Sequence, residues 1–343
     1  MIPIPTTMKA AVYHPGNNNL VIDQKYPIRP LKANEVLLRV SACGVGNTDV
    51  AILSGASTDP RTYILGHEIS GVPVLLGDQV DKKITPGKLY SVLTISGQEH
   101  GINGGSAFLN TIGLGLDGGY AEYVIVTEAN LVEVPEGVSA EAAAVASDAG
   151  ITSYNTVKNT AGVTKGTKVL IFGIGGLGHL AVQFAKHLGA TVFVCDVKPE
   201  ARRLALDLGA DGAFDLIELT NKTAAGFTVD TTIDFVVNNQ SFNLAMAALK
   251  GNEVNFPFIS KLVLAGISAE KLSFIDVTTI TSGVQILSNS YGPKSALEEV
   301  LDLFAKGLIH PSIQSEPLED IGKVINELRS SRITGKKVVV PKL

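Results

Sequence analysis

A glycine-rich turn within residues 168–196 narrows the choice of folds to a small group. Residues 169–172 form a short apolar run, as expected of a strand buried on both faces. Gly173, Gly175 and Gly178 follow in a G-x-G-x-x-G spacing, which permits a tight turn, a close approach of backbone to a pyrophosphate and close packing of a helix on the strand. Apolar residues then recur at helical spacing as far as residue 188. The stretch predicts a dinucleotide-binding strand, turn and helix.

An acidic residue closes the next predicted strand. Residues 191–195 are mainly apolar and end at Asp196, about 20 residues after the glycines. A carboxylate there accepts hydrogen bonds from ribose hydroxyls and repels a 2′-phosphate, which favours NAD(H) over NADP(H). Lys198 lies near enough to weaken that preference, as does Arg202. The predicted cofactor-binding residues of this segment are Gly173, Gly175, Gly176, Leu177, Gly178, Asp196, Val197 and Arg202.

The chain changes its pattern near residue 155. Residues 8–53 have the alternation and turns of a β-rich region, whereas strands and helices alternate after residue 155, as a parallel sheet requires. Further strands are predicted at 233–237, 262–265 and 285–287, with helices at 199–208 and 295–305, and an inserted loop at 251–260. The strand after Gly335 is expected to return to the first domain, because the doubly wound sheet is already complete.

Composition excludes several classes of function. The 343 residues carry a net charge of −5, which gives no electrostatic footprint for nucleic acid. We find no apolar run of about 18 residues for a membrane span, and the N-terminus lacks the apolar core of a signal peptide. Cys43 and Cys195 are too few for a disulfide framework. The expectation is a cytoplasmic protein with a small-molecule substrate and no nucleic-acid or membrane partner.

Several motifs occur together in a recognisable order. Gly66-His67-Glu68 precedes D-G-G-Y-A-E-Y at 117–123, A-G-I-T at 149–152, the glycine-rich turn, and G-K-K-V-V at 335–339. This order resembles the zinc-type medium-chain alcohol dehydrogenases over nearly the whole chain. The resemblance implies an α/β protein with a GroES-like β-rich catalytic domain at 1–152 and 290–343, and a Rossmann domain at 153–289. Substrate and nicotinamide would meet in the cleft between the domains.

The expected metal site departs from the family pattern. Relatives place a zinc-ligating cysteine where this chain has Gly46, and Cys43, three residues upstream, is offset from that position. His67 matches the zinc histidine, Glu68 the neighbouring acid, and Asp148 the third ligand position. A set of His67, Asp148 and Glu68 is chemically adequate for Zn²⁺. The alternative is that His67 and Asp148 hydrogen-bond each other or water without a metal.

The resemblance assigns the remaining site residues. Thr48 corresponds to the hydroxyl that relays the substrate proton, and Lys336 to a basic residue near the pyrophosphate. Residues 97–119 contain no cysteine, so no structural zinc is expected in that lobe. The residues matching the lining of the nicotinamide pocket are Thr152, Leu177, Gly266 and Ile267.

Three functions remain open at this point. The first is an NAD(H)-dependent alcohol dehydrogenase or carbonyl reductase in which Thr48, His67 and Asp148 are catalytic, with or without zinc. The second is a zinc-free medium-chain reductase of an activated C=C bond or a specialised biosynthetic substrate. The third is a non-catalytic NAD(H)-binding relative. A homodimer or homotetramer is expected, through pairing of strands near residues 284–290.

Overall fold

The computed structural model describes residues 5–57, 59–95, 111–250, 260–268, 270–273 and 283–342. Contacts divide the chain into two compact units. The first contains residues 1–148, 297–306 and 313–343, and the second contains residues 149–296 and 307–312. Both ends of the chain therefore belong to the same unit.

The described strands are numbered in chain order. They are β1 Thr7–Tyr13, β2 Val21–Pro27, β3 Glu35–Val45, β4 Tyr63–Ile64, β5 Glu68–Leu76, β6 Tyr90–Val92, β7 Tyr123–Thr127, β8 Leu131–Glu133, β9 Lys168–Phe172, β10 Thr191–Cys195, β11 Gly212–Phe214, β12 Thr231–Asp234, β13 Lys261–Leu264, β14 Gln285–Ser288, β15 Ile313–Pro317 and β16 Lys336–Val340.

The described α-helices follow the same convention. They are α1 Asn47–Ala51, α2 Ala140–Val145, α3 Ile151–Asn155, α4 Gly178–His187, α5 Pro199–Asp207, α6 Leu216–Ala224, α7 Asn239–Ala248, α8 Lys294–Ala305 and α9 Ile321–Arg329. Several short π-helical turns extend them, at Ile52–Ala56, Ala146–Gly150 and Thr156–Thr160. Within the ranges that the structure describes, no helix has the length and apolar character needed to cross a membrane.

The first unit is built on two sheets whose described strand pairs are antiparallel except for the parallel pair β15–β16. Six strands follow the order β15-β16-β3-β5-β6-β8, and β7 also pairs with β3. A second sheet has the order β2-β1-β4. Their inner faces share a buried core that includes Val36, Leu38, Ile69, Tyr120 and Val339. Because β16 comes from the end of the chain and pairs with β3 from its beginning, this unit closes only when both ends are present.

The second unit contains a six-stranded parallel sheet. Its order is β11-β10-β9-β12-β13-β14, and every neighbouring pair is parallel. This is the doubly wound arrangement, in which the strand order reverses between β9 and β12 and ligands bind at the carboxyl ends of those strands. Apolar residues of β9, including Leu170 and Phe172, pack with Phe242 of α7 in the core. The predicted α/β class, with a GroES-like part and a Rossmann part, is confirmed.

One predicted strand is displaced along the chain, since β12 begins two residues earlier and ends three residues earlier than predicted. The sequence indicated a strand over 233–237, but β12 ends at Asp234. Asp234 Oδ1 accepts hydrogen bonds from the backbone N–H groups of Val236 at 2.8 Å and Val237 at 2.9 Å, so the chain turns there. Val237 has a φ of 56°, which no strand residue adopts. The predicted loop at 251–260 lies outside the described residues except for Ser260, as does most of the cysteine-free lobe at 97–119.

Candidate active site

The pairing of β3 with β5 and β16 brings separate parts of the sequence together at one end of the sheet. Gly44 of β3 lies opposite Glu68 of β5 and opposite Val338 of β16. Gly46 follows β3 directly, His67 immediately precedes β5, and Lys336 begins β16. Residues that are about 270 positions apart in sequence are therefore neighbours because of strand register alone.

His67 lies between two carboxylates. Its side chain is 4% exposed, and its Nδ1 is 3.4 Å from Asp49 Oδ1 while its Nε2 is 3.6 Å from Asp148 Oδ2. Burial by itself would lower the pKa of His67, but the charges of Asp49 and Asp148 overcome burial and raise it well above 6.5. In the absence of a metal, the imidazole is therefore held as a cation between the two acids.

Asp49 is fixed by groups that the sequence analysis did not assign to the site. Its Oδ2 accepts hydrogen bonds from the Tyr120 hydroxyl at 2.7 Å and from the Gly46 N–H at 2.9 Å. The side chain is fully buried, so its orientation toward His67 is well defined. The available signal was the position of Asp49 directly after Thr48, within a motif that also contains Gly46. A partner on the second ring nitrogen of a metal-binding histidine fixes its tautomer.

Glu68 and Lys336 form a buried ion pair. The Lys336 ammonium contacts Glu68 Oε1, and the side chains of Lys336 and Glu68 are 4% and 1% exposed. Burial raises the pKa of Glu68 to about 7, and the charge of Lys336 opposes that rise. Lys336 was predicted to lie near a pyrophosphate as a cofactor-binding residue. In the structure its ammonium is directed into the cluster around His67, and the cofactor role stays a prediction.

Gly46 occupies the position where relatives have the zinc-ligating cysteine, and its neighbours show what surrounds that position in this chain. A Cβ placed on Gly46 would lie 3.1 Å from Glu68 Oε1, 3.6 Å from His67 Cε1 and 3.7 Å from the Lys336 ammonium nitrogen. The φ of Gly46 is −124°, so the backbone does not require glycine there. The neighbours of the cysteine position are thus a carboxylate, an imidazole and an ammonium group.

The donors around His67 fit a zinc ion. His67, Glu68 and Asp148 each offer one ligand atom, and these atoms lie within 4.8 Å of one another. Two zinc ligands at about 2.1 Å in a tetrahedral arrangement lie roughly 3.4 Å apart, close to the 3.6 Å between His67 Nε2 and Asp148 Oδ2. Among the described residues, Glu68 Oε2 is buried without a hydrogen-bond partner, so this oxygen has coordination capacity left.

Cys43 and Thr48 have different surroundings. Cys43 is buried against two glycines. A Cβ added to Gly66 would lie 2.8 Å from the Cys43 sulfur, and a Cβ added to Gly119 would lie 2.7 Å from it. Burial raises the pKa of the Cys43 thiol well above its usual value, which disfavours the thiolate needed for coordination. Cys43 therefore belongs to the core. Thr48 is the second residue of α1, half-buried, next to Asp49.

The glycine-rich turn of the second unit has the geometry of a dinucleotide site. Gly173 follows β9 with a φ of 82°, and a Cβ on Gly178 would lie 1.9 Å from the Gly173 carbonyl oxygen. An added Cβ on Gly175 has no atom within 4 Å. Close packing therefore requires Gly178, whereas Gly175 leaves an open surface at the start of α4, where backbone N–H groups attract phosphate.

Asp196 anchors the same turn. Its Oδ2 accepts a hydrogen bond from the Ile174 N–H at 2.7 Å, and its Oδ1 accepts one from the Lys198 N–H at 2.8 Å. Arg202, which was predicted to contact cofactor, donates to the carbonyl oxygens of Asp196 at 2.8 Å and Val197 at 3.1 Å. Its guanidinium thus supports the loop that carries Asp196.

The other predicted lining residues differ in exposure. Thr152 is buried, whereas Val197 and Ile267 are 66% and 55% exposed in the described structure. Ser153 donates a hydrogen bond to the Leu177 carbonyl oxygen at 2.9 Å, which ties α3 to the glycine-rich turn. Gly176 and Leu177 lie within that turn, just before α4, and Gly266 follows β13.

Comparison with known proteins identifies the class. Residues 32–136 match the family model of the alcohol dehydrogenase GroES-like domain, and residues 176–306 match that of the zinc-binding dehydrogenases. An alcohol dehydrogenase of Geobacillus stearothermophilus is 32% identical over 97% of this chain and 98% of that protein. The chain belongs to the medium-chain, zinc-type alcohol dehydrogenase family.

Solved structures agree in fold. Acetophenone reductase from Geotrichum candidum in complex with NAD has a TM-score of 0.86 and 30% identity, over 98% of each chain. A cobalt- and zinc-bound thermostable alcohol dehydrogenase from Pyrobaculum aerophilum has a TM-score of 0.84 and 25% identity, over 97% of this chain and 99% of that one.

Proposed function

We propose that this protein is an NAD(H)-dependent alcohol dehydrogenase and carbonyl reductase that takes a small alcohol, ketone or aldehyde as substrate. Membership of the alcohol dehydrogenase family makes it an oxidoreductase, and its Geotrichum relative is a ketone reductase that binds NAD. The single observation that carries the proposal within this chain is the His67, Glu68 and Asp148 cluster beside Asp49. A pure cofactor-binding protein has no use for these buried charges.

Each site residue receives a chemical role in this proposal. His67 and Asp148 would hold a zinc ion, with Glu68 as a further ligand, and the ion when bound would supply Lewis-acid polarisation of the substrate oxygen. Asp49 orients His67 through Nδ1 and stabilises it electrostatically. In the oxidation direction, the Thr48 hydroxyl would accept the proton of the substrate hydroxyl and pass its own proton on toward solvent, while the substrate carbon would give a hydride to the oxidised nicotinamide. In reduction both transfers reverse.

NAD(H) is the proposed cofactor because Asp196 closes β10. Its carboxylate is positioned by two backbone N–H groups, so a ribose diol can be recognised and a 2′-phosphate repelled. Thr152, Leu177, Gly266 and Ile267 are proposed to line the nicotinamide pocket, and Lys336 to act near the pyrophosphate or, through Glu68, at the metal. The proposed domains are 1–152 with 290–343 for catalysis, and 153–289 for the cofactor.

A second candidate follows from the neighbours of Gly46. The ammonium of Lys336 already neutralises the charge of Glu68 without a metal, and Gly46 removes the thiolate ligand that relatives have at this position. These features favour a zinc-free reductase, in which hydride adds to the β-carbon of an enone and less polarisation of the carbonyl is needed. The two candidates differ in whether turnover depends on a metal.

The deciding experiment measures zinc per chain on unchelated protein, together with NADH oxidation by acetophenone-type ketones, aldehydes and enones. We expect about one zinc per chain and ketone reduction that chelator abolishes and zinc restores. His67→Ala removes both the metal and the activity, whereas His187→Ala, at an exposed position of α4, retains both. Enone reduction that is indifferent to chelator, with no zinc bound, would establish the second candidate instead.

We also propose a homodimer or homotetramer. β14 is the outer strand of the parallel sheet, and Ile286 and Leu287 are half-buried there in the single chain. Pairing of two such edges would satisfy their backbone groups and cover these side chains. Sedimentation equilibrium distinguishes the assemblies, and Ile286→Lys should shift the mass toward that of one chain. A wild-type protein that sediments as a monomer at micromolar concentration would contradict this proposal.

A further inference from the structure

Val237 has an unfavourable backbone conformation. Its φ is 56°, in the left-handed region that suits glycine, and a β-branched side chain is a genuine outlier there. The described residues include two other non-glycine residues of this kind, Tyr291 and Ser331, and neither is β-branched. Such strain persists only where the surroundings enforce it, and it concentrates at functional sites.

The surroundings of Val237 do enforce the conformation. The buried carboxylate of Asp234 accepts hydrogen bonds from the N–H groups of Val236 and Val237 through one oxygen. Its other oxygen accepts a hydrogen bond from the Ser241 hydroxyl at 2.7 Å. Asn238, the next residue, caps α7 by accepting a hydrogen bond from the Ser241 N–H at 2.8 Å. The chain is therefore fixed on both sides of Val237.

The strained residue lies at the point where the strand order of the sheet reverses. Val237 follows β12, which neighbours β9, and the carboxyl ends of these two strands form the ligand crevice of a doubly wound sheet. A Cβ on Gly173, directly after β9, would lie 2.8 Å from Val236 Cγ2. The segment after β12 is thus packed against the first glycine of the cofactor turn.

The side chain of Val237 lies close to Gly266. A Cβ on Gly266, directly after β13, would lie 3.0 Å from Val237 Cγ2 and 2.3 Å from the Phe235 carbonyl oxygen. Gly266 therefore allows the two segments to approach closely, and the isopropyl group of Val237 packs against its bare backbone. The side chain of Val237 is half-buried, so part of it faces away from this contact.

The position in the sheet indicates which end of the cofactor is involved. A dinucleotide crosses the crevice, with one nucleotide on each half of the sheet. Asp196 directly follows β10, on the side of the adenosine ribose. Val237 and Gly266 follow β12 and β13, on the opposite half, and so belong to the side of the second nucleotide.

We propose that Val237 is a positioning residue for the nicotinamide half of the dinucleotide. Its isopropyl group, held in a strained conformation by Asp234, fixes the backbone at Gly266 and so prearranges the wall against which the second nucleotide binds. The proposal rests on the proposed NAD(H) binding. It explains why a β-branched residue is retained where glycine would be free of strain.

The test compares two ligands on variants of one residue. Val237→Gly relieves the strain, so we expect a Tm equal to or above that of the parent. Loss of the prearranged wall should raise the Kd for NADH about tenfold, while the Kd for AMP, which occupies only the adenosine half, stays unchanged. The KM for NAD should rise with it, and the KM for the alcohol should not. Val237→Ala, which retains Cβ, must weaken NADH binding in the same direction.

Two control variants separate positioning from plain stability. Ser331→Gly relieves a left-handed residue after α9, and it should raise Tm and leave both Kd values unchanged. Val237→Thr keeps the branching at Cβ that restricts the side chain, and because this side chain is half-buried its hydroxyl can stay hydrated, so it should bind NADH within about twofold of the parent.

Two results would overturn the proposal: Val237→Gly binding NADH as tightly as the parent, or Val237→Thr as weak as Val237→Gly. A parent protein that does not bind NADH would instead refute the proposed function, and this is measured first.

Discussion

The cluster around His67 and the glycine-rich turn of the second unit differ in the kind of polar group that each uses. Around His67, acids and bases are buried together, and each depends on the charge of its neighbours. In the glycine-rich turn, most polar contacts are made by the backbone, and the carboxylate of Asp196 accepts hydrogen bonds from backbone N–H groups. The first site is therefore adjustable through charge and protonation, whereas the second is restricted by shape. A methyl group added to the glycine-rich turn should therefore impair binding, whereas one added beside His67 should be tolerated.

The largest effect is expected from Gly175→Ala. The alanine methyl group has no atom within 4 Å, so the fold should keep its Tm. The methyl group occupies the approach of the pyrophosphate, and we expect NADH affinity to fall about 100-fold or more. Gly322→Ala, in α9, is the matched control because its added Cβ also meets nothing. Unchanged NADH titration of Gly175→Ala would show that the pyrophosphate binds elsewhere.

Asp196→Ala probes the carboxylate that the proposal places at the ribose. Losing a charged hydrogen bond to the ribose should weaken NADH about 30-fold, from roughly 2 kcal/mol, and should reduce the preference over NADPH. Asp211→Ala is the control, because Asp211 also accepts a hydrogen bond from a backbone N–H of the same sheet, at Val192. Fluorescence titration with NADH and with NADPH measures the loss of affinity for each cofactor. Equal losses for NADH and NADPH would contradict recognition of the ribose.

Gly46→Cys tests the cluster around His67 by restoring a cysteine at the position where relatives have a zinc ligand. The backbone at Gly46 accepts a side chain, although Glu68 must move by a few tenths of an ångström. A thiolate beside His67 should tighten zinc about tenfold, since soft sulfur is a stronger zinc ligand than water. Gly46→Ala adds the same Cβ without sulfur and should not tighten zinc. Competition against a chelating dye measures both, and equal affinities would show that the thiolate does not reach the metal.

The pH dependence of metal binding tests the cluster around His67 without any substitution. Zinc must displace the proton of His67 and needs ionised Glu68, and the pKa values of both groups are raised. In the metal-free protein, both shifts stabilise the fold at low pH, and this contribution is lost as pH rises from 4.5 to about 7 for Glu68 and above 6.5 for His67. The gap in Tm between zinc-loaded and chelated protein should therefore widen from about pH 6 to pH 8.

Each proton released strengthens zinc binding by about 1.4 kcal/mol per pH unit. The rise should level off above the pKa values of the two groups. Asp196→Ala serves as a control, because it should leave the slope unchanged while weakening NADH. A gap in Tm that is constant over this range would mean that neither His67 nor Glu68 exchanges a proton for the metal.

The two regions also differ in how far the sequence predicted them. β9 and β10 have predicted positions within one residue of the structure, and the parallel sheet is confirmed, because a contiguous stretch carries its own turn, helix and strand. The strand predicted over 233–237 was wrong at its end, since a side chain, Asp234, terminates it. Periodicity does not reveal which carboxylate will turn back on its own backbone.

In the cluster around His67, sequence motifs gave His67, Glu68 and Asp148 as candidate metal ligands, and their roles stay predictions. The sequence did not indicate that Tyr120 and Asp49 support His67, or that Lys336 pairs with Glu68. The first contact joins α1 to the segment before β7, and the second joins β5 to β16, which both pair with β3 in a register that depends on the whole sheet. Residues that are distant along the chain meet only after the core has closed.

The sequence by itself determined the family, the α/β architecture and the dinucleotide turn, because glycine spacing and hydrophobic periodicity act locally. Only the tertiary structure decided that the position of the missing cysteine faces an ammonium, a carboxylate and an imidazole. It also decided that Val237 would be held in a left-handed conformation. Burial is the physical reason, since charge and strain acquire their energies only when neighbours exclude water and fix the backbone.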